Sequence, residues 1–171
     1  MTAKLNKRIL IVDDMDEIHD AYKTILLKKP DIDKNGFDDL VDDLFSEKSE
    51  SHENHLDFDF DYDIDFAFQG EEAIEKVKQS VADDNPYALI FMDMRMPPGM
   101  NGVDTIKEIW KIDTRIETIL CTAFSDYNWS ATLNIIGITD QFLLIKKPFE
   151  TAEIKQVALA QILKWNRIHT K

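Results

Sequence analysis

Five short apolar runs, each followed by a segment of helical period, constrain this 171-residue chain more than any other feature. The first run is RILIV at Arg8–Val12, and the others fall near 63–68, 89–92, 118–122 and 142–145. Behind them come 17–28, 71–81, 103–110, Trp129–Ile136 and 152–165, where apolar residues recur three and four apart. Ile18, Ala21, Tyr22, Ile25 and Leu26 set that spacing in the first helix, and Pro30 ends it. Strand and helix in strict alternation predict one α/β domain whose parallel five-stranded sheet is covered on both faces. Open sheets of this kind bind ligands at the carboxyl ends of their strands. Those ends carry Asp13 and Asp14, then Asp93, then Thr122, then Lys147.

Three carboxylates gathered in one crevice repel one another unless a cation sits among them. Oxygen-only ligands in a shallow site suit a hard ion, Mg²⁺ first and Mn²⁺ as a substitute. Lys147 adds a positive point charge and Thr122 a hydroxyl donor. The set suits in-line phosphoryl transfer, in which three equatorial oxygens need neutralising. A central carboxylate, Asp93, can be the nucleophile and form an acyl phosphate.

The blocks RILIVDDMD (8–16), LIFMDMRMPPGMNG (89–102), ILCTAFSD (119–126) and LIKKPF (144–149) resemble the receiver domain of response regulators in two-component phosphorelays. The resemblance runs from about residue 7 to the last helix, apart from an insertion between the first helix and the second strand. It implies a flavodoxin-like doubly wound sheet of order 2-1-3-4-5. It also implies Asp93 as phosphoacceptor, Asp13 and Asp14 as metal ligands beside it, and the backbone carbonyl of Arg95 completing the metal site. Thr122 and Lys147 would each hold a phosphoryl oxygen. The implied activity is that of a switch and not an enzyme, although such a domain assists its own phosphotransfer and slow dephosphorylation. The implied donor is a sensor histidine kinase or a phosphotransfer domain. A homodimer through the fourth helix, fifth strand and fifth helix is a further expectation. MRMPPG and FLLIKKPF resemble a subgroup often attached to sensor kinases or cyclic-dinucleotide enzymes.

Three departures from the family pattern stand out. The loop from Met94 to Gly102 is one residue longer than usual. Leu144 replaces the usual switch aromatic, with Phe142 of the same strand parity as a stand-in. Lys146 doubles the lysine, but alternation turns it away from Lys147.

Composition narrows the class further. Apolar residues make up 44% of the chain, as in ordinary globular proteins. Cys121 is the single cysteine, so no internal disulfide can form, and it reads as a buried small hydrophobe. His19 reads as a helix-surface residue beside the site. The basic Lys4, Lys7 and Arg8 precede an apolar run too short for a secretory signal, and no stretch nears the ~20 apolar residues of a membrane span. The expectation is a cytoplasmic chain without membrane contact. Of the net charge of −13, residues 31–65 hold nearly all, with 14 acidic and 2 basic side chains. Such a segment repels phosphate backbones and argues against direct nucleic-acid binding.

The acidic insertion spans about residues 30–60. Its stretch 31–42, DIDKNGFDDLVD, has the spacing of a Ca²⁺ loop, with Asp31, Asp33, Asn35 and Asp42 as ligands and Gly36 at the turn. Asp38 stands where such loops keep an apolar residue, and no partner hand exists, so a turn followed by an amphipathic helix is the plainer reading. From 56 to 68 apolar residues alternate with aspartates, the pattern of an edge strand whose charges discourage pairing with another chain.

Two rivals differ in class. A degenerate receiver would act as a phosphorylation-independent docking module. A phosphohydrolase passing through an aspartyl phosphate would need a general acid near Asp93, and Met94 and Arg95 offer none. The whole chain, 1–171, reads as one domain, and its amphipathic last helix leaves open a continuation into an output domain.

Overall fold

Each of the five apolar runs forms a strand. The computed structural model describes residues 5–27, 61–123 and 128–170. In chain order the elements are β1 (Arg8–Val12), α1 (Asp16–Leu26), β2 (Asp63–Ala67), α2 (Gly70–Ala82), β3 (Leu89–Asp93), α3 (Gly102–Ile112), β4 (Glu117–Thr122), α4 (Trp129–Ile136), β5 (Phe142–Lys146) and α5 (Thr151–His169). All strand pairs are parallel and the order is β2-β1-β3-β4-β5. This is the expected doubly wound, flavodoxin-like sheet. The acidic insertion, its Ca²⁺-like stretch and the first half of the alternating run lie outside the described residues.

Successive residues of a strand point to opposite faces, and the core divides accordingly. Ile9, Ile11, Phe91, Ile119 and Cys121 meet Tyr22 and Leu26 of α1 and Ile154, Ala158, Ile162 and Trp165 of α5. Leu10, Val12, Ile90, Met92 and Leu120 meet Ala73 and Val77 of α2 and Val103, Ile106 and Ile109 of α3. Each such side chain taken from water contributes about 1.5–3 kcal/mol. Truncating the fully buried Ile106 to alanine should therefore cost about 2–5 kcal/mol.

The carboxyl ends of the strands are set by local contacts. Asn101 caps α3, its side-chain oxygen accepting from the Asp104 amide at 2.9 Å. A Cβ on Gly102 would lie 2.2 Å from the carbonyl oxygen of Asp93, so only glycine lets α3 start directly against the end of β3. Asn128 caps α4 in the same way, and within α4 Thr132 alone is buried.

The aspartates of β2 do more than guard an edge. Asp65 accepts from the Arg8 guanidinium and from the Tyr87 hydroxyl, both at 2.6 Å, and Arg8 lies 4.2 Å from the Tyr87 ring centre.

Two side chains sit otherwise than expected. His19 is buried, its ring centre 4.9 Å from that of Phe66 and 4.6 Å from that of Phe68. It shares a helix face with Tyr22 and Leu26, which spacing alone dictates. Phe142 is buried too, and its register partner is Thr118, four residues back from Thr122 or ~13 Å along the strand. It cannot stand in for an aromatic beside Thr122. No described helix is long and apolar enough to cross a membrane.

Candidate functional site

The crevice forms where β1, β3 and β5 end. Asp13 follows β1; its amide donates to the Ala67 carbonyl at 3.1 Å and its Oδ1 accepts from the Met15 amide at 3.0 Å, so the turn into α1 fixes its carboxylate. Asp14, next in the chain, is exposed, and Asp93 closes β3 with its side chain only 11% exposed. Carboxylate oxygens of these three residues lie within 4.8 Å of one another.

Lys147 reaches this trio from the far side of the sheet. Its amide donates to the Thr122 carbonyl at 2.8 Å, which continues the β4–β5 ladder past the strand. Its Nζ donates to Asp13 Oδ2 at 2.5 Å and to Asp93 Oδ1 at 2.9 Å. One lysine shared by carboxylates that outnumber it leaves negative charge unbalanced. Burial, foremost, and the neighbouring Asp13 and Asp14 charges push the Asp93 carboxyl above its ordinary range, although Lys147 pulls the other way. Burial would depress the Lys147 ammonium, but its bonds to Asp13 and Asp93 outweigh this and hold it above the usual value.

An added divalent cation would relieve this imbalance. Oxygens around an octahedral Mg²⁺ stand at most about 4.2 Å apart. Oxygens of the acidic trio lie within 4.8 Å of one another, a spacing on that scale, so they can converge on one ion directly or with a retained water on one arm. The donor set is all oxygen, as a hard cation requires.

Asp13, Asp14, Asp93 and Lys147 thus come together as the sequence predicts. Thr122 ends β4 one position past Cys121, the register partner of Asp93; it is fully buried, and its hydroxyl donates to the Ala123 carbonyl at 3.0 Å. Arg95 lies on the loop after β3 and borders a cleft of about 320 Å³ between the start of α3 and α4.

Behind the crevice, the Tyr22 hydroxyl and the Cys121 sulfur stand 3.2 Å apart, and the Tyr22 ring packs against Phe91 and Phe149. Burial pushes the Cys121 thiol up to about 12, so it stays a protonated, unreactive filler. Sequence reasoning missed this polar contact and the burial of His19. For the latter, the 19-22-26 spacing was the available signal.

A doubly wound sheet with an acidic crevice and a lysine at its carboxyl edge defines the receiver class of α/β domain. Residues 40–159 match the response regulator receiver domain family, and the chain belongs to that family. It is 36% identical over 88 residues to the chemotaxis protein CheY of Thermotoga maritima, a match covering 52% of this chain and 66% of that one. It is 29% identical over 147 residues to CheY of Bacillus subtilis, covering 86% of this chain and 90% of that protein. Among solved structures, an adenylate cyclase from Rhodopirellula baltica superimposes with a TM-score of 0.67 at 24% identity, over 96% of this chain and 93% of that one. A CheY-like receiver domain from Methanospirillum hungatei does so at 0.62 and 19% identity, over 94% and 97%. At these identities the structural likenesses speak for the fold.

Proposed function

We propose that this receiver takes a phosphoryl group onto Asp93 from a phosphohistidine and switches conformation in response. The observation that carries the reading is the position of Lys147, whose ammonium bridges Asp13 and Asp93. With Oδ1 of Asp93 held by the lysine, Oδ2 attacks phosphorus in line. The P–N bond of the donor breaks, the imidazole leaves with the electron pair and takes a proton, and an acyl phosphate remains on Asp93. Asp13, Asp14, Asp93 and the Arg95 carbonyl would hold Mg²⁺, which neutralises phosphoryl oxygens when bound. Thr122 has to release the Ala123 carbonyl before its hydroxyl can serve the phosphoryl group. Residues 1–171 act on this reading as one unit, with a sensor histidine kinase or phosphotransfer domain as donor.

The output passes through the loop after Thr122 and through Lys147 to the face made by α4, β5 and α5. Leu144, half-buried against the core, has no ring to report the site, so the threonine and the lysine carry the signal. On that face Trp129 is 46% and Ile135 45% exposed, and either a second copy or an output domain would cover them. The test is labelling by acetyl phosphate with Mg²⁺, the product being checked for the lability to hydroxylamine and alkali that marks an acyl phosphate. Labelling that is acyl-phosphate-like and absent in Asp93→Asn is expected, and undiminished labelling of that variant would sink the reading. A beryllofluoride mimic that alters amide exchange at the metal site alone, with the α4–β5–α5 face silent, would end the output proposal.

A further inference from the structure

The long loop between β3 and α3 is pinned at both ends. The Met94 amide donates to the Cys121 carbonyl and the Gly102 amide to the Met94 carbonyl, each at 2.9 Å. In between, Met96 is buried in the core on the α2–α3 side of the sheet, and the Gly99 amide closes a turn onto the Met96 carbonyl at 3.0 Å. The crest of that turn rests on the first turn of α2. There Glu71 Oε1 accepts from the Met100 amide at 3.0 Å. The fit is close: a Cβ on Gly99 would stand 2.4 Å from Gln69 Oε1 and 2.7 Å from Glu71 Oε2.

A carboxylate in the first turn of a helix is favoured by the helix dipole, so Glu71 occupies a position where its charge is tolerated at little cost. A carboxylate that accepts from a backbone amide makes a charge-assisted bond, stronger than a neutral one. The loop is thereby fixed at its crest by Glu71 and on its underside by Met96, and Arg95 is the residue just before that underside anchor.

We propose that Glu71 is a positioning residue for the metal site: by clamping the Met100 amide it sets the height of the loop, and with it the place of the Arg95 carbonyl. This rests on the reading of that carbonyl as a metal ligand. It assigns to α2 a share in metal affinity that no residue of the crevice itself carries, and gives the longer loop a dedicated support.

The experiment uses the full chain as wild type, Glu71→Ala, Glu71→Gln and Gly99→Ala. It reads amide exchange over residues 94–102 without metal, Mg²⁺ affinity by calorimetry, and circular dichroism for the fold. Glu71→Ala should speed exchange of the Met100 amide and raise the Mg²⁺ Kd roughly threefold to tenfold, the scale of one lost hydrogen bond. Glu71→Gln keeps an acceptor oxygen at the same reach and should stay within about twofold of wild type. Were Glu71 only a complement to the helix dipole, the glutamine variant would behave like the alanine one, and that result overturns the clamp. Gly99→Ala, which displaces the carboxylate without deleting it, should follow Glu71→Ala. A folded Glu71→Ala protein with faster Met100 exchange but wild-type Mg²⁺ affinity also overturns the proposal while leaving the functional reading intact. A wild-type protein that takes up no Mg²⁺ overturns both.

Discussion

The two ends of the same sheet treat buried charge in opposite ways. At the amino end Glu117 opens β4 with its side chain fully buried, and Lys164 of α5 donates to its Oε2 at 2.9 Å. Lys164 also reaches Asp140, so one ammonium ties α5 to β4 and to the turn before β5. Arg8 at the start of β1 is likewise matched to Asp63 and Asp65. At the carboxyl end Asp13, Asp14 and Asp93 crowd one another, and a single lysine bridges Asp13 and Asp93. At the amino end the buried Glu117 has an ammonium in direct contact, and the further carboxylates Asp63 and Asp140 are exposed to water, although Glu117 Oε1 itself has no hydrogen-bond partner. At the carboxyl end three carboxylates stand near one lysine, an excess of negative charge that a divalent cation would balance.

Charge-removing substitutions sharpen this contrast because the two ends should answer with different readouts. The largest effect belongs to the carboxyl end: Asp93→Asn removes the proposed nucleophile while keeping its shape, so labelling by a small phosphodonor should vanish with the urea midpoint unchanged or raised. Next comes Lys164→Met at the amino end. It strands Glu117 as a buried, unpaired carboxylate and should cost about 3 kcal/mol in chemical denaturation. Labelling at Asp93 should survive it. If Lys164→Met costs nothing, the amino end is not the matched one.

Third is Asp14→Asn, which should raise the Mg²⁺ needed for half-maximal labelling by roughly tenfold, because the remaining oxygens must hold the ion alone. The metal-free protein should not lose stability, since a like charge has been taken from a crowded trio. Loss of stability in that variant would mean the trio is a structural network and not an unfinished site.

The smallest effect is in pH dependence. Asp93 is held above its ordinary value of 3.8 by burial and by the Asp13 and Asp14 charges, so the folded state binds its proton more tightly than the unfolded state. Its contribution to metal-free stability is therefore full below the ordinary value and lost as pH rises through the elevated one. Glu117, raised by burial, acts in the same direction, so the comparison is wild type against Asp93→Asn in the same buffers. The wild type should show the steeper fall with pH, and Mg²⁺ should flatten it. Equal slopes without metal would remove Asp93 from the account.

Much of this molecule follows from the chain read in one dimension. Period-two and period-3.6 patterns are local consequences of backbone geometry, so the order of strands and helices was legible, and so were the strand ends that carry Asp13, Asp14, Asp93, Thr122 and Lys147. The family blocks then named their roles. Contacts between residues far apart in the chain have no such local signature. Nothing in ETILCT says that Glu117 will find Lys164 some 47 residues on, as the fold brings it. The fourth apolar run spans 118–122, so Glu117 falls outside it and carries no signal of its own. The place of Phe142 beside Thr118, the rings of Phe66 and Phe68 that His19 meets, and the reach of Glu71 to the Met100 amide were likewise settled by register and packing. Those are decided when helices dock on a twisted sheet, where a shift of one residue exchanges every side chain between the faces. The sequence by itself therefore determined which residues stand at the carboxyl end of the sheet. Tertiary structure alone decided which of them touch, and set three carboxylates against one lysine.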